Sequence, residues 1–120
     1  MYNVAISNYM DIKLGIKSDP IEYRYSFEWL FDFMQRNSVH YMQLGSFFEL
    51  YSLDDKFFYN LHRNAIKKNI HIKSCFTSHR ELGGFFSGNT YLEKVARLSY
   101  EKYIHIASIL KADYIGSNPG

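Results

Sequence analysis

Between Ile70 and Ser117 the chain runs through four segments that strongly restrict its fold. A short run (IHIKSCF) gives way to a polar, glycine-containing stretch (TSHRELGGFFSGN), then to a long amphipathic segment, and finally to a second short run (YIGS). Strand, loop, helix and strand in that order make a crossover unit, and a helical crossover joins parallel strands. In the long segment Leu92, Val95, Ala96, Ser99, Tyr103, Ile106, Ala107 and Leu110 fall along one helical stripe, which predicts a helix from about Tyr91 to Leu110. Asn89 or Thr90 can cap it, and Thr90 with Glu93 has the spacing of a capping box. In the strand before it, strict alternation puts Ile70, Ile72, Ser74 and Phe76 on one face and His71, Lys73 and Cys75 on the other.

The same alternation of elements extends toward the N-terminus. Residues 3–8 (NVAISN) read as a first short strand, and residues 9–23 as a long loop with a glycine and an Asp19-Pro20 turn signal. Phe27, Leu30, Phe31 and Met34 recur at the spacing of one helical face, with Ser26 placed to cap that helix. His40 to Gly45 reads as a second strand. Asp54 or Asp55 opens a second helix that runs to about Lys68 and turns Phe58, Leu61 and Ala65 inward. The predicted order is β-α-β-α-β-α-β, an α/β fold with parallel strands in a single domain over residues 1–120.

Composition excludes several classes. Hydrophobic residues are 47% of the chain, too many for a disordered segment. The net charge is +2 with mixed signs, and the only basic cluster (Arg63, Lys67, Lys68 and Lys73) is thin, so no nucleic-acid partner is expected. The single cysteine rules out an internal disulfide framework. No basic leader and no membrane-length apolar run is present, so no membrane partner is expected and a cytoplasmic location is. No phosphate-cradling GxxxxGK or dinucleotide GxGxxG pattern occurs.

In parallel α/β folds ligands sit beyond the C-terminal ends of the strands. That rule selects Phe48 and Glu49 after the second strand, His79 and Arg80 after the third, and Asn118 after the fourth. His79 can act as an acid or base near neutral pH, and it is the one catalytic candidate. Arg80 can fork onto a carboxylate or phosphate or orient a sugar hydroxyl, and Glu49 either binds hydroxyls or stays solvated. Gly83 and Gly84 either let the backbone approach a ligand or turn the chain. His40, His62, His71 and His105 read as structural, and no His and carboxylate spacing marks a closed metal site.

The stretch from Ile70 to Gly120 resembles the third βα unit and fourth strand of the xylose-isomerase-like barrels, the sugar (phosphate) isomerases and epimerases. The residues that carry the likeness are Ser74, Cys75, Arg80, Leu82, Gly83, Gly84 and Phe85, then Asn118, Pro119 and Gly120. The resemblance implies the N-terminal half of a (β/α)8 TIM barrel, because a complete one typically needs about 250 residues. It also implies a divalent metal, most often Mn²⁺ and otherwise Mg²⁺, Co²⁺ or Zn²⁺, held by residues of the later strands. That ion and paired glutamates would support proton transfer next to the carbonyl of a small sugar. His79, Arg80 and Asn118 carry over as substrate contacts, no metal ligand lies within the chain, and the chain alone is expected to be inactive. One branch, the larger subunit of C-glycoside deglycosidases, uses the fold for lyase-type cleavage. A small self-contained α/β binding module is the alternative outside the family. A half-barrel leaves two unpaired edges, so self-association, or pairing with a C-terminal half, is expected.

Overall fold

Three helices, each ended in the same manner, fix the architecture. The computed structural model describes residues 14–18, 26–45, 52–77 and 84–117. In chain order its elements are β1 (Gly15–Lys17), α1 (Phe27–Arg36), β2 (Tyr41–Gly45), α2 (Asp55–Lys67), β3 (His71–Thr77), α3 (Thr90–Leu110) and β4 (Tyr114–Ser117). Each helix opens on a side-chain cap. Ser26 accepts from the Trp29 amide, Asp54 from the Phe57 amide, and Asn89 from the Tyr91 and Leu92 amides. At α3 the cap is therefore Asn89, one of the two predicted candidates, and not Thr90.

Each helix closes on a non-glycine residue in the left-handed region: Ser38, Asn69 and Lys111 all have φ 56°. The amide of the next residue then reaches back five positions. Val39 donates to Met34 O at 2.9 Å, Ile70 to Ala65 O at 2.9 Å, and Ala112 to Ala107 O at 3.0 Å. These are Schellman closures, and an apolar residue follows the left-handed one each time. The following strand starts within a few residues, so one turn geometry sends all three helices back into the sheet.

The sheet is four-stranded, parallel throughout, and ordered β1-β2-β3-β4. Strand order matching chain order means the sheet is wound in one direction only. The helices accordingly cover one face. Two rows of side chains point at them: Ile16, Met42 and Ile72, then Leu44, Cys75 and Ile115. Against these rows pack Leu30, Phe31 and Met34 of α1, Phe58, Leu61 and Ala65 of α2, and Tyr103, Ile106, Ala107 and Leu110 of α3. The inward faces of α1 and α2 are those predicted from spacing. On α3 the stripe departs from prediction: Leu92 and Val95 are exposed, while Ile109 is buried.

Two further expectations change. The segment read as a loop over residues 9–23 contains β1, which pairs with β2 from Gly15↔Tyr41 to Lys17↔Gln43. The strand expected at residues 3–8 lies outside the described residues. In β3 the pairing to β2 slips between Met42↔Ile72 and Gln43↔Ser74, leaving Lys73 as an extra residue. This bulge reverses the alternation above it. Cys75 therefore joins Ile72 on the helix side and is buried, rather than sharing a face with His71 and Lys73.

Candidate functional site

The face of the sheet away from the helices carries polar side chains. Lys17, Gln43, Ser74 and Tyr114 form one row across all four strands, and Gly45, Phe76 and Gly116 form the row above it. Gln43 Nε2 donates to Ser74 Oγ at 3.1 Å, which fixes the amide against the neighbouring strand. The Lys17 ammonium sits 5.3 Å from the centroid of the Phe76 ring. That is cation–π range, and it holds the charge near the C-terminal edge of the sheet. A hollow of about 350 Å³ on the sheet is lined in part by Lys17, Gln43 and Ser74. Lower down, the Lys73 ammonium pairs with the Asp113 carboxylate. The hydrogen bond to Asp113 and its negative charge raise the Lys73 pKa above 10.5.

Directly after Lys17, Ser18 is completely buried. Its amide donates to Gln43 O at 3.0 Å and its Oγ accepts from the Gly45 amide at 2.8 Å. Ser18 thus locks the end of β1 onto β2 and sets the height at which Lys17 emerges. On the other side of the sheet two tyrosines of α3 fasten the end of β4. Tyr103 donates to Gly116 O at 3.3 Å, and the Tyr100 and Ser117 hydroxyls are hydrogen-bonded. Phe85 packs on Tyr100 with ring centroids 5.4 Å apart.

The five site residues expected from sequence (Phe48, Glu49, His79, Arg80 and Asn118) lie outside the described residues. They follow β2, β3 and β4 in the chain. Gly84 is described, and it turns the chain as expected: its carbonyl accepts from the Ser87 amide at 3.2 Å, closing a single helical turn. A Cβ there would lie 2.7 Å from Leu92 O, so this glycine lets the loop press against the first turn of α3. Lys17, Gln43 and Ser74 were absent from the sequence-derived site. A signal for Lys17 existed: Ile12, Leu14 and Ile16 alternate with Lys13, Gly15 and Lys17 at the period of a strand.

Among the described residues no group of three His, Cys, Asp or Glu side chains is placed to hold a metal ion. His105 Nε2 meets Asp55 Oδ2 at 2.9 Å, tying α3 to the first turn of α2. Cys75 is buried among apolar side chains, and loss of hydration pushes its thiol pKa up to about 12. It is a packing residue and not a nucleophile. No helix among the described residues is long and apolar enough to cross a membrane.

A parallel sheet wound in one direction, helices on one face and a polar opposite face are the features of a TIM-barrel-type α/β protein, here over four strands among the described residues. No family model matches the chain, and no curated protein matches its sequence. Among solved structures, D-psicose 3-epimerase determined in the presence of D-fructose has a similar fold, with a TM-score of 0.73 over 88% of this chain. The two sequences are 12% identical, so the likeness is one of fold, and this chain spans 37% of the length of that one.

Proposed function

We propose that the chain is part of a sugar or sugar phosphate isomerase or epimerase that moves a proton next to a carbonyl. The observation that supports this reading is the likeness of fold to a sugar epimerase across 88% of the chain. In this reading the polar face of the sheet is a wall of the substrate pocket. Gln43 and Ser74 meet sugar hydroxyls from that wall, and Phe48, Glu49, Arg80 and Asn118 contact the substrate from the loops above. His79 is the candidate to accept or return the proton. The cytoplasm is the location that fits such an enzyme.

The family resemblance implies a divalent ion to polarise the carbonyl. The described residues supply no donor set for one, and no step is drawn through it. What this part of the chain does is bind and orient. It presents hydroxyl, amide and ammonium donors from a rigid sheet, so that the carbon to be deprotonated is held in one place.

The test is solvent exchange. The complete gene product that carries this chain is incubated in D₂O with Mn²⁺ and a panel of ketoses, aldoses and their phosphates, and followed by NMR. Deuterium entering the carbon next to the carbonyl, together with an epimer or isomer, is the expected result. No exchange in any sugar would sink the proposal.

A further inference from the structure

We infer that the groove between α3 and the turn before it receives α3 of a second copy of this chain, laid antiparallel across a two-fold axis. Arg97, Tyr100, Glu101 and Ile104 fall at i, i+3, i+4 and i+7, so they form one stripe of α3. Phe85 and Phe86 of the preceding turn stand beside that stripe, and the two sets border a groove of about 530 Å³. The core takes a different stripe of the same helix, through Tyr103, Ile106, Ala107 and Leu110. On the groove side Ile104 is 53% exposed and Phe86 79% exposed, while Phe85 rests against the Tyr100 ring. Aromatic and aliphatic side chains that are left this open gain most by being covered.

The charges decide which partner fits. Arg97 and Glu101 are the two charged residues that line the groove, opposite in sign and one helical turn apart. Among the described residues neither takes part in a hydrogen bond or an ion pair. A matching surface therefore offers a carboxylate to Arg97 and a cation to Glu101, at the same spacing in reversed order. α3 itself supplies that order when it runs antiparallel. With the two-fold axis crossing the helix at the level of Ser99, Arg97 of each copy meets Glu101 of the other, and the two pairs are equivalent by symmetry. The same axis carries the exposed Ile104 of one copy toward the turn that holds Phe86 in the other. At Ser117 the groove adjoins the edge of β4, which is unpaired among the described residues and also attracts a partner strand. The charged pair separates these two modes of association, because it lies on the helix and not on the strand. None of these observations depends on the isomerase or epimerase reading.

Self-complementary charge has a signature that strand pairing and plain apolar contact lack. The chain of residues 1–120 is followed by sedimentation equilibrium over a range of concentrations, and the wild type is expected to dimerise. Arg97→Glu and Glu101→Arg each bring like charges together at both symmetric positions, and each is expected to weaken association by roughly 10-fold or more. An equimolar mixture of the two variants restores opposite charges at both positions. It is expected to associate about as tightly as the wild type, as a heterodimer. The double variant Arg97→Glu, Glu101→Arg restores them within a homodimer and is expected to behave in the same way. Both side chains are exposed, so the core is left intact, and thermal unfolding confirms that each variant is folded. Single variants that associate like the wild type overturn the inference and leave the sheet edges or the apolar side chains alone as the contact. A mixture that associates no more tightly than its components overturns the antiparallel pairing. A wild-type chain that is monomeric at every concentration overturns it too, and leaves the groove to a different partner. In each of these cases the proposed function is untouched.

Discussion

At Cys75 one thiol is shut away from water between the sheet and its helices, and the consequence is a stability that depends on alkaline pH. Its folded pKa is raised from 9.0 to about 12 by burial. The folded state therefore holds the proton more tightly than the unfolded chain. The contribution to stability is complete below pH 9 and is lost as pH rises from there through about 12. In that window the unfolding free energy of the wild type is expected to fall more steeply than that of Cys75→Ala, by up to about 1.4 kcal/mol per pH unit. Lys73, whose pKa is also raised, titrates in both proteins and cancels in the comparison. Urea unfolding at intervals between pH 8 and 11, chosen on the order of one unit apart, measures the difference. Parallel slopes would show that the thiol is not sequestered. Thiol reagents at neutral pH are expected to leave folded Cys75 unmodified.

The helices share a device that carries a cost. Ser38, Asn69 and Lys111 each occupy the left-handed region without being glycine. Asparagine tolerates that conformation, but lysine does so at an expense of about 1 kcal/mol or more. Lys111→Gly is expected to raise stability by about 1 kcal/mol, less whatever the freer unfolded chain takes back, as read by urea denaturation. A loss of stability would show that the lysine side chain does more at this turn than its backbone suffers. The helices themselves were legible in the sequence. Their caps were visible at Ser26 and Asp54, and the buried sets Leu30, Phe31, Met34 and Phe58, Leu61, Ala65 sit at helical spacing. The strands were harder to read for two physical reasons. β1 is 3 residues long and lies beside Asp19 and Pro20, whose turn signal outweighs a short alternation. The bulge at Lys73 breaks the period-two pattern that assigns faces, and nothing local in IHIKSCF announces it. α3 was read correctly as an element and only partly as a stripe, because its first turns do not lie against the sheet. Of the candidate site, the residues named from sequence follow β2, β3 and β4 in the chain and lie outside the described residues. The polar row of the sheet was not legible, since Lys17 can be placed in it only once β1 is known to be a strand.

At the scale of the whole molecule, β1 and β4 are each paired on one side only among the described residues. α3 adds the exposed apolar side chain of Ile104 near Ser117 of β4, and Phe86 in the preceding turn is 79% exposed. A groove of about 530 Å³ runs there between Phe85, Phe86, Tyr100 and Ile104. Open edges beside an apolar surface favour pairing with another chain. We propose that residues 1–120, expressed alone, associate with themselves, and that size-exclusion chromatography with light scattering finds a dimer or larger species. A stable monomer at all concentrations would contradict this.

The extra residue at Lys73 divides β3 into two stretches whose orientations are set separately. Below it His71 and Ile72 keep the phase that seals the core with Met42, and above it Ser74, Cys75 and Phe76 follow another. Gain or loss of a single residue at that point would exchange which side chains of the upper stretch lie on the polar face and which meet the helices, without disturbing the lower one. A change of length at one position of the strand thus re-faces a whole polar surface, a route open to natural variation that substitution alone does not offer.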